Sequence, residues 1–275
     1  MLELGLQNNL VSPWFVTQPQ QHYTRVTVSV TDAASWGGLL QDAVRRCYAT
    51  DTYLLQRAQT TQLAPAQILA SKLPDPGPVM SGDFGEILAY IFLASREGTT
   101  VAAGPKKWRL KETRTKAAPY SDVVQFVFHS WPVPNDQDRV ICAEVKAKAT
   151  NGASTPIPDA LAGSQNDRTS RLAKTLVWLR DRAIGEDIGV VTVQELNRFI
   201  HATEHPQYAR EHHAIAIICS GLVDAELATL VPQDIPEGCA VVVVSVPNLH
   251  QTYTTVYENV RNSVAQWALP VSVEP

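Results

Sequence analysis

The sequence predicts an α/β (α+β) fold in which a mixed central sheet is flanked by helices. From residue 81 onward the hydrophobic patterns alternate between helical and extended types, which is typical of helices packed on a mixed sheet. Two late segments, HAIAIIC at 213–219 and CAVVVVSV at 239–246, are apolar almost throughout, as strands covered on both faces are. A chain of 275 residues that is 45% hydrophobic can bury such a core without disulfides or a structural metal.

The first 76 residues are predicted to form a strand and helical region. Polar and apolar residues alternate over YTRVTVSV at 23–30, and the β-branched content predicts a strand. Helical patterns follow at 31–48 (with Thr31 and Asp32 as the cap), 51–58 and 64–72. The PDPGP segment at 74–78 is a stiff break. We therefore divide the chain into regions 1–76 and 77–275.

The second region begins with a strong helix, SGDFGEILAYIFLASREG, capped by Ser81 and closed by Gly98. DVVQFVF at 122–128 and VICAEVK at 140–146 are predicted strands joined by a polar turn, so they form a long-looped hairpin. The remaining predicted elements are a loop at 150–158 and helices at 169–182, 192–202 and 251–268.

The candidate chemistry lies on this hairpin. Because side chains alternate faces along a strand, Glu144 and Lys146 point to the same face as Cys142, while Val145 points into the opposite layer. Asp122 begins the preceding strand and can bring a second carboxylate close to Glu144.

Two neighbouring carboxylates repel each other unless a cation lies between them. A hard divalent ion, Mg²⁺ first or Mn²⁺, is often held by one or two carboxylates together with phosphate oxygens. We therefore predict that Asp122 and Glu144 bind this metal, while Lys146 stabilises the phosphate or positions a water molecule. The alternative is a solvated ion pair at a sheet edge, with Asp122 as a strand-start cap.

A basic segment precedes the hairpin and is predicted to guide the DNA backbone. Six basic residues and one acidic residue occur between positions 106 and 116. Lysine and arginine side chains near a cleavage site would attract phosphates, although a solvated basic loop is the alternative. The predicted DNA-binding residues are Lys106, Lys107, Arg109, Lys111, Arg114 and Lys116. After the hairpin, Arg168, Arg171 and Lys174 lie near one face of the next predicted helix, close to Gln165 and Asp167.

The combination of Asp122 with Glu144-x-Lys146 resembles the PD-(D/E)xK phosphodiesterase superfamily, which has a restriction-endonuclease-like core. That superfamily often carries a further Glu on the helix before the hairpin, and Glu86 matches that position. The resemblance implies a catalytic role for Glu86 at the metal site. Two departures are the serine that replaces proline before Asp122 and the long gap to Glu144.

Four stretches taken together, SGDFGEILAYIFL, SDVVQFVF, AEVKAKA and RLAKTLVWLRD, resemble the nuclease subunit family of the Hachiman anti-phage defence system, HamA. The resemblance implies a Mg²⁺-dependent DNA endonuclease, a hydrolase that acts with and is regulated by a partner superfamily-2 helicase (HamB-like). The alternatives are a non-catalytic scaffold that binds a helicase or DNA, and a different nuclease-type defence effector.

Composition agrees with a protein that depends on a partner for DNA. The formal net charge is −4, the opposite sign from a free-standing non-specific DNA binder, so the DNA affinity must be local or supplied by the partner. The sequence shows neither a secretory signal nor a membrane span, and we predict a cytoplasmic protein. Its four widely spaced cysteines are predicted to be reduced core residues: Cys47, Cys142, Cys219 and Cys239.

Overall fold

Seven strands form one mixed sheet in the computed structural model, which describes residues 1–97 and 101–267. The strands are β1 (Val16–Pro19), β2 (Thr24–Thr27), β3 (Val101–Ala103), β4 (Val123–Phe128), β5 (Arg139–Lys148), β6 (Ala209–Cys219) and β7 (Cys239–Val246). Their order across the sheet is β1-β2-β7-β6-β5-β4-β3. The β2–β7, β7–β6 and β6–β5 pairs are parallel and the outer pairs are antiparallel, which confirms the predicted mixed sheet.

Helices cover both faces of this sheet. Over the described residues they are α1 (Asn8–Val11), α2 (Val30–Leu39), α3 (Gln41–Tyr48), α4 (Asp51–Thr61), α5 (Pro65–Lys72), α6 (Pro78–Ser95), α7 (Pro156–Asn166), α8 (Leu172–Ala183), α9 (Val193–Ile200), α10 (Val223–Leu227) and α11 (Leu249–Asn262). A π-helical turn at Asp167–Arg171 joins α7 to α8. None of the helices within 1–97 and 101–267 combines the length and apolar character that a bilayer-spanning helix needs.

The alternation of side chains along β5 assigns each to a layer. Ala143 and Val145 pack in the cluster that contains the buried residues of α6 and α11, whereas Cys142 packs with Leu172 and Leu176 of α8. Glu144 lies between Ala143 and Val145, so it shares the α8 face, as the sequence predicted. β6 is also buried on both faces, because Ile215 and Ala214 belong to different clusters.

The predicted boundary near residue 76 is not a break in the core. β2 pairs in parallel with β7, so that Thr24 lies beside Val242 and the first strands complete the same sheet. The large hydrophobic cluster likewise contains residues from both predicted regions, for example Trp36 and Phe92. The segment before 77 therefore contributes directly to the layer that supports the hairpin.

Several helix boundaries differ from prediction for identifiable reasons. α6 begins at Pro78, whose ring suits the first helical turn, so Ser81 lies inside the helix rather than at its cap. The predicted closing residue Gly98 and residue 268 lie outside the described residues. The predicted helix at 31–48 is two helices, and Ser29 is the N-cap because its hydroxyl accepts from the Asp32 amide.

The helix α7 was not predicted at all. The loop predicted at 150–158 ends at Thr155, and Pro156 starts the helix. Its buried residues Ile157, Ala160 and Leu161 have the spacing of one helical face, which could have revealed it. Its first turn contains Pro156 and Pro158, and prolines are typical of loops, so the segment was predicted as a loop.

Candidate active site at the end of the hairpin

The two carboxylates of the predicted metal site lie opposite each other on β4 and β5. Val123 pairs with Ala143, and continuing this antiparallel register by one residue places Asp122 opposite Glu144. Directly opposed residues project to the same face of a sheet. The Val145 amide donates to Asp122 Oδ2 over 2.9 Å, which fixes the Asp122 carboxylate against β5.

Lys146 brings a positive charge to both carboxylates. Its ammonium contacts Glu144 Oε1 and lies 3.8 Å from Asp122 Oδ2. Burial alone would lower the pKa of Lys146, but the charges of Asp122 and Glu144 raise it. Burial and the charge of Asp122 raise the pKa of Glu144, against the opposing effect of Lys146 and Arg171. The hairpin therefore holds a close carboxylate pair with one ammonium between its members.

Glu86 approaches from α6, which packs on the other face of the sheet. Its Oε2 accepts from Trp108 Nε1 over 3.0 Å and lies 3.3 Å from the Lys107 ammonium. Burial, together with the nearby charge of Asp122, raises the pKa of Glu86 to about 8, although Lys107 opposes this shift. Glu86 is thus a buried carboxyl group that releases its proton at a much higher pH than an ordinary glutamate.

Lys107 connects Glu86 to the hairpin carboxylates. Its ammonium lies 3.8 Å from Asp122 Oδ1 and donates to the Ser121 carbonyl over 2.9 Å. Burial would lower the pKa of Lys107, but Glu86 and Asp122 raise it. The structure thus joins Glu86, Asp122, Glu144 and Lys146 in one electrostatic network, with Lys107 between Glu86 and Asp122.

Arg171 is the main contact of this site that the sequence did not identify as part of it. Its guanidinium contacts Glu144 Oε2 and donates to Asp167 Oδ1 over 2.6 Å. Asp167 is buried and also accepts from the Ser121 hydroxyl over 2.7 Å. Both residues belong to the π-helical turn, a local irregularity that often occurs at functional sites. Their spacing of four residues in a charged segment was the available signal.

Gly163 makes room for the Glu144 side chain. A Cβ atom at this position would lie 2.3 Å from Glu144 Cδ and 2.4 Å from Oε1. The Gly163 carbonyl also accepts from Arg171 over 2.8 Å. A glycine on α7 therefore lets the helix pass directly over the carboxylate while its backbone holds the arginine.

Asp122 and Glu144 are suited to a divalent cation. Both reach the Lys146 ammonium, so their oxygens already converge on one positive charge. Within residues 1–97 and 101–267, no three His, Cys, Asp or Glu side chains form a ready-made metal cluster. Mg²⁺ does not need such a cage, because it keeps several water molecules and is often held by one or two carboxylates. These two residues therefore fit a magnesium or manganese ion.

Most basic side chains of the predicted DNA-binding segment are engaged in contacts with other residues of the same chain. The ammonium of Lys106 is buried against Tyr90 and Glu3, and Arg109 pairs with Glu3 and Asp187. Lys107 contacts Glu86 and Asp122 of the candidate active site, and Lys111 lies 2.6 Å from the buried Asp83. Arg114 and Lys116 are exposed, and Arg114 lies 3.3 Å from Asp75. Of the six side chains, only these two are exposed to solvent.

The cysteines are all free thiols. Cys47 and Cys142 are buried, whereas Cys219 and Cys239 are half-buried at the ends of strands. Burial raises the pKa of Cys47 to about 12 and also raises that of Cys142, so both remain neutral thiols.

In the comparison with protein families, the HamA family model matches residues 15–260. No curated protein matches the chain. The matched range contains the hairpin, α6, α7 and the π-helical turn, and hence every residue of the site.

Proposed function

This chain belongs to the HamA family of the Hachiman anti-phage defence system, and from that premise we propose that it is a metal-dependent DNA endonuclease subunit. The observation that supports the proposal is the convergence of Asp122 and Glu144 on the ammonium of Lys146 at the end of the β4–β5 hairpin. Paired carboxylates with an adjacent lysine provide metal ligands and a donor to phosphate in one place.

In the proposed mechanism, Asp122 and Glu144 hold Mg²⁺ or Mn²⁺. The bound ion supplies Lewis-acid activation of the phosphate and of a water molecule. Lys146 donates to a phosphate oxygen or positions the attacking water, because its ammonium is partly exposed beside both carboxylates. Arg171 orients Glu144 from the opposite side, and Glu86 acts through Lys107 on the charge of Asp122.

DNA and a superfamily-2 helicase subunit (HamB-like) are the proposed partners, and the cytoplasm is the proposed location. The net charge of −4 gives the chain little general attraction for DNA. Burial of Lys106, Lys107 and Arg109, three of the six basic residues between positions 106 and 116, reduces it further. A helicase that binds DNA would supply the missing affinity and would control when the site meets its substrate.

Two substitutions test the proposal. Glu144→Gln and Lys146→Ala should each abolish Mg²⁺-dependent plasmid cleavage in the presence of the helicase and ATP. Both variants should remain folded and co-purify with the helicase, although each should lower the melting temperature somewhat by weakening the contacts among Glu144, Lys146 and Arg171. Glu258→Gln, at an exposed position of α11, is the matched control and should cleave normally. Full cleavage by both site variants would refute the proposed chemistry.

A non-catalytic scaffold is the second candidate, and one observation favours it. Both oxygens of Glu144 contact cations of the protein itself, Lys146 and Arg171, which would compete with a metal ion. Titration of the chain with Mn²⁺, followed by electron paramagnetic resonance, separates the two functions. A nuclease should bind Mn²⁺ and lose that binding in Asp122→Asn, whereas a scaffold should bind none and leave DNA intact.

A further inference from the structure

A cavity of about 330 Å³ lies beside the candidate active site and is not part of it. It opens to solvent and is lined by the π-helical turn, the first turns of α8, the end of α9 and the start of β6. Its volume is at the lower end of the range for small-molecule sites and suits a ligand of one nucleotide's size. The lining residues that matter here are Arg168, Ala173, Val177, Phe199, Tyr208 and Arg210.

The cavity combines an apolar wall with two guanidinium groups. Leu172 and Leu176 of α8 form a buried surface, and the ring of Phe199 packs edge-to-face with Tyr208 at 4.8 Å between centroids. Arg168 and Arg210 are exposed at its rim. Arg210 lies over the Tyr208 ring, and Arg168 contacts the carbonyl of Glu237. A planar ring that carries an anion matches this surface, because the ring covers the apolar wall and the anion meets the arginines.

Two polar atoms of the residues that line the cavity have no hydrogen-bond partner within the described part of the chain. They are Asp167 Oδ2 and His212 Nδ1, and both residues are more than nine-tenths buried. Buried polar atoms normally find partners, so a ligand with donors and acceptors on its edge would satisfy them after small side-chain rotations. The charge of Asp167 is already balanced by Arg171, so it does not exclude an anion.

The sheet register places this cavity next to Glu144. His212 pairs with Cys142, and Ala214 pairs with Glu144, so the cavity wall and the carboxylate are two residues apart along adjacent strands. That separation is about 7 Å, close to the distance between successive phosphates of an extended strand. Asp167 contributes to both places, since it lines the cavity and holds the arginine that contacts Glu144.

We propose that this cavity binds one nucleotide unit, with its base against the α8–α9 wall and its phosphate between Arg168 and Arg210. The inference rests on the proposed nuclease function, because a nucleotide held here would place the adjoining phosphate of the same strand at Glu144. A nucleotide of the DNA strand and a free nucleotide have the same chemistry, and the experiment distinguishes them.

The test uses 2-aminopurine, whose fluorescence falls when the base stacks in a site. The full chain is titrated with 2-aminopurine deoxyribonucleoside monophosphate and, separately, with a short single-stranded oligonucleotide that contains 2-aminopurine. EDTA is present, so binding is measured without cleavage. Quenching of the free nucleotide identifies a free ligand, and quenching of the oligonucleotide alone identifies a nucleotide of the strand. Either result supports nucleotide binding in the cavity, provided that the cavity variants reduce the quenching.

Arg168→Ala and Arg210→Ala should each weaken binding by about tenfold, since each removes a charged contact to phosphate. Ala173→Trp should abolish quenching by filling the cavity, and Val177→Trp serves the same purpose if the first variant does not fold. Both positions are exposed on α8, so a larger side chain can be accommodated. The control is Arg180→Ala on the same helix, whose guanidinium contacts only Asp181 within the described residues.

Binding of either probe that is unchanged in a folded Ala173→Trp or Val177→Trp variant would overturn the proposal, as would the absence of quenching with both probes. These results are separate from the test of the nuclease. Loss of cavity binding with intact cleavage would remove only the nucleotide subsite, whereas normal cleavage by Glu144→Gln would remove the catalytic proposal and leave the binding result standing.

Discussion

Replacement of Gly163 by alanine should move the Glu144 carboxylate and sharply reduce the proposed nuclease activity without unfolding the protein. The added Cβ would lie 2.3 Å from Glu144 Cδ and 2.4 Å from Cγ and Oε1, whereas ordinary contacts begin at 3.4 Å. The end of the Glu144 side chain must therefore withdraw by about 1 Å. Misplacement of a reacting group by about 1 Å can reduce a rate by about 100-fold, and we expect a loss of that size.

The effect on stability should be modest because two contributions oppose each other. Alanine is favoured over glycine inside a helix by about 1 kcal/mol. Displacement of Glu144 weakens its contacts with Lys146 and Arg171, and hydrogen bonds to charged groups contribute about 1.5–3 kcal/mol each. We expect the free energy of unfolding to fall by about 1–3 kcal/mol, which urea titration measures.

Plasmid cleavage with Mg²⁺, helicase and ATP measures the predicted loss of activity. Gly82→Ala is the matched control, because Gly82 is also helical and a Cβ there would meet nothing within 4 Å. It should retain full cleavage and gain slight stability. Cleavage by Gly163→Ala at the rate of the unmodified chain would refute the assignment of Glu144 to the reacting centre.

The pKa of about 8 at Glu86 means that its contribution to stability is fully present below about pH 4.5 and is lost as the pH rises through 8. Glu86→Gln should therefore gain stability relative to the unmodified chain as the pH rises from 5 to 8, and a difference in melting temperature that stays constant over this range would contradict this. Arg171→Ala should lower the free energy of unfolding by about 3 kcal/mol in urea titration, because it leaves the buried Asp167 without its cation; a loss below about 0.5 kcal/mol would be typical of an unimportant surface position. Arg114→Ala and Lys116→Ala should each reduce the slope of log affinity for DNA against log salt by about 0.7–0.9 without changing stability, and an unchanged slope would exclude phosphate contacts there.

The hairpin and the sheet face to which its side chains point were predictable, because the alternation of side chains along a strand is a local property. The limits of β7 agree with the predicted segment. β4 begins one residue later than predicted and ends where predicted, and β5 begins one residue earlier and ends two residues later. The same-face placement of Glu144 and Lys146 follows directly from the two-residue period. By contrast, the partners of Lys106 and Arg109 lie far away in sequence, at Glu3 and Asp187, so local charge density could not reveal that these cations are buried.

The remaining features of the site depend on packing between distant segments. The close approach of α7 to Glu144 requires the absence of a side chain at Gly163, which the sequence presents only as an ordinary glycine in an overlooked helix. The π-helical turn shifts Asp167 and Arg171 relative to a regular helix, and no residue pattern in the sequence predicted this turn. The role of Lys107 likewise depends on α6 and the hairpin meeting across the sheet edge.

The pairing of β2 with β7 has a consequence for the order in which the chain acquires its structure during synthesis. Thr24 can find its neighbour Val242 only after more than two hundred further residues have left the ribosome. The β4–β5 hairpin closes over a much shorter loop and can assemble early. The nascent chain should therefore form the β4–β5 hairpin first, while β2 remains without its parallel neighbour until β7 has been synthesised. A product truncated before residue 239 lacks β7, so its β2 has no strand with which to pair.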